Sequence, residues 1–446
     1  MITGFLIPSL KSKGSTHFKF PARAGRGLSI FASAFFLFSR LSAFAQEPAP
    51  STIYTFARQV LDTLCSPGMH GRGYVSEGDK IAANYLEDQF KAIGLNTFYG
   101  SFRQEFSYPV NTFPGEMFLS IDGKTLIPGK DYLIFGGATK LSGTYKIALI
   151  DPNHPELLQH KKQLRHHAIV LSDSLLKKEP YQGLSNDGLH TKVVCILVNK
   201  LTWDVPEDTS YLRVQLRNGL ITPDSKELQI RLENKFIKDY PTKNLVGYIR
   251  GTEYPDSFLV LTAHYDHLGR MGRDTYFPGA NDNASGCAML LSLAKYYAEP
   301  ANKPRCSVVF IAFSGEEAGL IGSAYFTQHP LFPIRCIRFL TNLDILGTGD
   351  EGITVVNGTL FPTEFNLLKS INEKGHFLPE VKVRGKAANS DHYLFSERGV
   401  KAFFIYTRGG IKAYHDVYDQ AATLPLTRFE DLYKLLCAFE RELDAR

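Results

Sequence analysis

No internal repeat and no low-complexity tract runs through the sequence, which argues against solenoid and propeller architectures. Its six cysteines, at positions 65, 195, 287, 306, 336 and 437, form no CxxC pair. A zinc ribbon and a dithiol redox motif are therefore not expected. Export would permit disulfides, but Cys287 and Cys437 lie in apolar helical runs and read as buried free thiols. Tryptophan occurs once, at Trp203, and reads as a packing residue. The body of the chain also lacks a basic excess. Residues 1–45 hold Lys11, Lys13, Lys19, Arg23, Arg26 and Arg40 and no acidic residue, and the remainder has 44 basic against 45 acidic side chains, a net of −1. The formal charge of +5 therefore belongs to the leader and gives no reason to expect nucleic-acid binding.

What is present begins with that leader. A basic segment precedes the apolar run Leu28 to Phe38, and Ala43-Phe44-Ala45 stands before Gln46. Small residues at −3 and −1 are the pattern of a cleaved export signal. The run is too short to span a bilayer comfortably, and no cysteine follows for lipid attachment. The expectation is a signal over 1–45, a periplasmic or secreted product, and no stable membrane anchor after cleavage. A total of 446 residues exceeds what one hydrophobic core usually holds, so several domains, or one domain with an insertion, are expected.

The texture changes twice along the chain. Ile53, Phe56, Ala57, Val60, Leu61 and Leu64 recur at helical spacing, and a second helix runs from about Glu77 to Ile93 with Gly94 placed to end it. These belong to an N-terminal helical part, 51–101, containing a Gly-rich turn in which His70 reads as structural. From 102 to 236 short β-like runs alternate with turns, including a hairpin at Asp122-Gly123. Charged residues there show no catalytic spacing, and the region reads as an inserted β-rich domain. From 237 to 446 strands and helices alternate. The predicted fold class is α/β, a mostly parallel mixed central sheet flanked by helices.

Chemistry concentrates in that last region. His264 and Asp266 follow the buried run Val260 to Ala263, and Asp282 precedes a predicted helix. Glu316 and Glu317 follow Ser307 to Phe313, Asp344 follows Phe339 to Leu343, and His415 lies beyond Ala402 to Tyr406. All but Asp282 lie carboxyl-terminal to a strand, and that edge is where open α/β sheets bind ligands. Zinc takes His nitrogen and carboxylate oxygen. His264, Asp282, Glu317, Asp344 and His415 suffice for two metals if one carboxylate bridges. Asp282 suits the bridge, because a helix N-terminus favours a carboxylate there.

His264-Tyr265-Asp266-His267, Gly279 to Gly286, Glu316 to Ser323 and Asn342-Leu343-Asp344 resemble, in order, the motifs of the co-catalytic dinuclear zinc aminopeptidase family. That family includes glutamate carboxypeptidases and glutaminyl cyclases. The resemblance implies a zinc exopeptidase fold, two zinc ions per chain and peptide substrates. It implies Asp282 as bridge, His264 and Asp344 on one metal, Glu317 and His415 on the other, Glu316 as general base and Asp266 orienting His264. Residues 102–236 stand where such enzymes often carry a protease-associated insert. His392, in Ser390-Asp391-His392, competes with His415 for the last ligand position, which the segment around His415 matches better. Tyr406 and Arg408-Gly409-Gly410 are expected to border the pocket. An aminopeptidase is the leading expectation. A carboxypeptidase or dipeptidase stays open through Arg384, Arg398 and Arg408, as do a glutaminyl cyclase and a non-catalytic receptor-like relative. Oligomeric state is left open.

Overall fold

The computed structural model describes residues 51–136, 141–150, 163–178, 181, 191–206, 209 and 211–446. The expected leader lies outside them. The first helix, Thr52–Leu64, starts where the Ser51 hydroxyl accepts the Tyr54 N–H at 3.1 Å, a normal N-cap. The second, Gly78–Ile93, stops at Gly94, whose φ of +82° lets the Gly94 and Leu95 amides turn back to Lys91 and Phe90. Both pack with the helices Ser285–Ala298, Pro362–Gly375 and Phe429–Ala445 into one apolar cluster.

That cluster covers one face of an eight-stranded sheet. Its order is Arg103–Thr112, Lys235–Ile249, Cys306–Phe313, Tyr254–His264, Ile337–Leu343, Ala402–Thr407, Ile353–Val356 and Val381–Val383. The four strands from Cys306–Phe313 to Ala402–Thr407 run parallel to one another. Antiparallel strands flank this block on both sides. Leu259, Leu261 and Ala263 face the helical cluster, while Val260 and Phe258 face a second one with Phe326 and Phe395. Burial on both faces explains the unbroken apolar runs.

A second eight-stranded sheet runs from Met117 to Leu232 and encloses its own core, with Trp203, Tyr132 and Ile230 inside it. Asp122 and Gly123, both at positive φ, turn the hairpin between Met117–Ile121 and Lys124–Thr125. One strand differs from expectation. Arg103–Thr112 pairs with Lys235–Ile249 in the first sheet, although the sequence groups residues 102–236 together. Its alternating burial says which face is inside but not which sheet it joins. All six cysteines are unpaired, Cys287 and Cys437 being buried. No described helix is long and apolar enough to cross a membrane.

Candidate metal centre

The four parallel strands end side by side, and their ends converge on a cleft of about 510 Å³. His264 is the last residue of its strand. Asp344 directly follows Leu343, and Glu316 and Glu317 lie on the turn after Phe313. His264 Nε2 stands 3.3 Å from Asp282 Oδ1, 3.4 Å from Asp344 Oδ1 and 4.0 Å from Glu316 Oε2. His415 Nε2 stands 3.1 Å from Asp282 Oδ2 and 3.1 Å from Glu317 Oε2. Each oxygen of Asp282 therefore faces a different histidine. His392 is buried against Phe404, with neither ring nitrogen hydrogen-bonded, and is not part of this cluster.

The outer nitrogens fix the imidazoles. His264 Nδ1 lies 3.2 Å from the Asp266 backbone carbonyl, and His415 Nδ1 lies 2.7 Å from the Trp203 carbonyl and 3.1 Å from Asp204 Oδ1. Each Nδ1–H donates outward, which turns Nε2 toward the carboxylates. The Asp266 side chain, expected to orient His264, is 3.8 Å from that ring. Its carboxylate also accepts the N–H groups of Glu316 at 3.2 Å and Glu317 at 3.4 Å. Asp266 thus ties the His264 strand to the turn bearing both glutamates.

Asp282 also differs in detail. In the first turn of the helix Ser285–Ala298 the Gly286 N–H donates to Asn283 Oδ1 at 2.9 Å, and the Asp282 carboxylate stays turned to the histidines. The Asp282 and Asn281 N–H groups donate to the Asp419 carboxylate at 2.9–3.0 Å. Buried Arg72 gives five hydrogen bonds to the carbonyls of Leu64, Tyr265, Pro278, Gly279 and Asp282. A fixed guanidinium fork suits such a set of diverging acceptors. His267 Nδ1 is 2.6 Å from Glu317 Oε1, and the Ser390 hydroxyl donates to Asp344 Oδ2 at 2.9 Å. None of Arg72, His267, Asp419, Trp203 or Asp204 was assigned a site role from sequence. His267 sat inside a quoted motif, and Asp419 in the segment around His415, that could have flagged them.

The cluster is short of positive charge. Burial would raise the Asp282 carboxyl, but the hydrogen bonds from His264 and His415 hold it well below the usual range. Burial raises Glu316 well above its ordinary value, and the nearby carboxylates of Asp391, Asp344 and Glu317 add to this against His264. Asp344 is likewise raised by burial, and its Oδ1 accepts no hydrogen bond. For Glu317 the neighbouring imidazoles outweigh burial and bring it to about 2. His264, Glu316 and Asp344 offer ligand atoms within 4.8 Å of one another, as do His264, Asp282 and Glu317. A nitrogen and oxygen donor set with an orphaned buried carboxylate oxygen fits divalent zinc.

Residues 244–439 match peptidase family M28. A probable zinc metalloprotease of Leptosphaeria maculans is 37% identical over 113 residues, 24% of this chain and 26% of that protein. The chain thus spans about a quarter of the length of the first curated relatives it matches. Aminopeptidase YwaD of Bacillus subtilis is 28% identical over 202 residues, 43% of this chain and 41% of its own. Among solved structures, the Bacillus subtilis zinc aminopeptidase BSAP superposes over 87% of this chain and 94% of that one, with a TM-score of 0.66 at 19% identity. An aminopeptidase from Aneurinibacillus sp. strain AM-1 covers 87% and 93%, with a TM-score of 0.60 at 18% identity. These two show the same α/β fold. Over residues 244–439, which carry every residue of the cluster, the chain matches peptidase family M28 and is similar to probable zinc metalloproteases.

Proposed function

We propose that the protein is an exported zinc aminopeptidase that removes N-terminal residues from peptides. The observation that carries the reading is Asp282, whose two oxygens face His264 on one side and His415 on the other. Asp282 would be shared between two zinc ions, with His264 and Asp344 completing one set and Glu317 and His415 the other. When bound, zinc supplies Lewis acidity, acidifying water and polarising a carbonyl. The chain's own residues supply the rest. Glu316, which lines the cleft with its Oε2 4.0 Å from His264 Nε2, is placed to take a proton from water and return it to the leaving amine. Asp266 holds the Glu316 amide and so sets where that carboxylate stands. The aminopeptidase relatives support this choice of reaction among those the fold can host.

The proposed organisation is a catalytic domain of residues 51–101 and 237–446, joined in its sheet by the strand Arg103–Thr112, that carries the rest of the β-rich region as an insert. Export rests on the leader, and N-terminal sequencing of protein recovered from cells tests it: cleavage after Ala45 is expected. The activity is tested by offering zinc-loaded protein free, N-blocked and N-terminal-Gln peptides and identifying products by mass. Stepwise loss of residues from free N-termini alone is expected. Cleavage of blocked peptides, or ammonia release without cleavage, would replace the reading by a carboxypeptidase or a cyclase. Glu316→Gln should lower turnover by about 10²–10⁴-fold while leaving bound zinc unchanged, and full activity in that variant removes the general-base role.

A further inference from the structure

The cleft wall carries seven of the acidic and histidine side chains discussed above and one cation. Asp204, His264, Asp282, Glu316, Glu317, Asp344 and His415 line it, and Arg384 is the only lysine or arginine on the described lining. The other two arginines that sequence left open are engaged elsewhere. Arg408 pairs with Glu380 and donates to the Glu351 carbonyl, and Arg398 donates to the carbonyl of Leu394. Neither lines the cleft. Arg384 has no carboxylate partner among the described ion pairs. Its guanidinium NH1 lies 3.3 Å from the Tyr406 hydroxyl, on the wall that also carries Phe404 and Asn389. It follows the edge strand Val381–Val383, where its backbone N–H bonds to Val355.

We infer that Arg384 receives a carboxylate of the substrate, so that the enzyme favours peptides presenting an anion close to the scissile bond. This rests on the peptidase reading above. Guanidinium matches carboxylate through paired, charge-assisted hydrogen bonds. A dipeptide spans about 7 Å, so one seated with its amine at the carboxylate cluster brings its own terminal carboxylate toward the opposite wall. An acidic side chain on the residue after the cleaved bond supplies the same chemistry. The apolar surfaces of Leu320, Ile345 and Phe404 are left for the side chain of the first residue.

The test compares Leu-Ala, Leu-Ala-amide and Leu-Glu-amide on zinc-loaded wild type, Arg384→Gln and Arg384→Lys, with zinc content and thermal unfolding checked for each. Wild type should cleave Leu-Ala, Leu-Glu-amide or both with a KM at least about tenfold below that of Leu-Ala-amide, a gap worth about 1.4 kcal/mol. The carboxylate whose removal raises KM identifies the source, terminal or side-chain. Arg384→Gln should bring KM for the anionic substrate to that for Leu-Ala-amide, with kcat changing less, as loss of uniform binding requires. Arg384→Lys should restore part of the difference. Equal KM for all three peptides in wild type, or an equal change for all three in folded, zinc-replete Arg384→Gln, overturns the inference. Failure to cleave any of them, with two zinc ions bound, overturns the peptidase reading instead.

Discussion

The two flanks of Asp282 are built differently. On one, His264 and Asp344 stand at the ends of neighbouring parallel strands, and Glu316 follows a third. Their positions follow from the sheet, whose strands are buried on both faces. On the other, His415 lies eight residues beyond Thr407, in a stretch without regular structure and at a φ of +51°. The second sheet's region holds it there. The Trp203 N–H donates to the His415 carbonyl at 2.8 Å, and the Trp203 carbonyl accepts from His415 Nδ1 at 2.7 Å. Lys200 donates to the Lys412 carbonyl at 2.8 Å and pairs with Asp416 at 3.3 Å. One flank is thus fixed by the fold that bears it, and the other borrows its geometry from residues far away along the chain.

The comparison breaks most visibly at Trp203. Its buried ring packs on Phe277 with centroids 4.4 Å apart, and Nε1 donates to the Ile134 carbonyl at 2.6 Å. Trp203→Ala should cost about 3–5 kcal/mol of stability and weaken zinc binding on the His415 flank. Unchanged affinity for both zinc ions in a folded variant would contradict the borrowed geometry. Asp204→Asn removes only charge from the second acceptor of His415 Nδ1. It should weaken that same flank by no more than about tenfold, the low end for partners of metal-bound histidines, because Trp203 still accepts the proton. Calorimetric zinc titration reads both.

A separate effect lies away from the site. Burial raises Glu440, on the C-terminal helix, to about 7 although Thr341 donates to it at 2.7 Å. A carboxyl raised on folding binds more protons in the folded state, so stability is full below about pH 4.5 and falls as pH rises toward 7. Glu440→Gln should remove that decline, stabilising the protein by about 3 kcal/mol at pH 8 with little change at about pH 4.5. Equal pH dependence of Tm in both proteins would contradict it.

What the sequence disclosed follows the same division. His264, Glu316, Glu317 and Asp344 were legible because apolar runs of strand length end at them, and such runs mark buried parallel strands. Asp282 was legible as a carboxylate near a helix start, though Asn283 is the residue that accepts a first-turn amide, that of Gly286. The support was not legible. Arg72 meets five backbone carbonyls, and His415 is held by the backbone of Trp203, and backbone partners leave no residue-type signature. Trp203 read as packing, which its ring does. Asp204, in a region without catalytic spacing, reaches the cleft only through tertiary folding. Arg103–Thr112 has the alternation of any half-buried strand and gave no sign of which sheet it joins.

The claim that Asp282 is shared by two unequal flanks is tested most directly by counting zinc per chain in wild type and His415→Ala by elemental analysis after dialysis. Two zinc ions in wild type and one in a folded His415→Ala are predicted. One zinc in wild type, or two retained in the variant, would contradict the account.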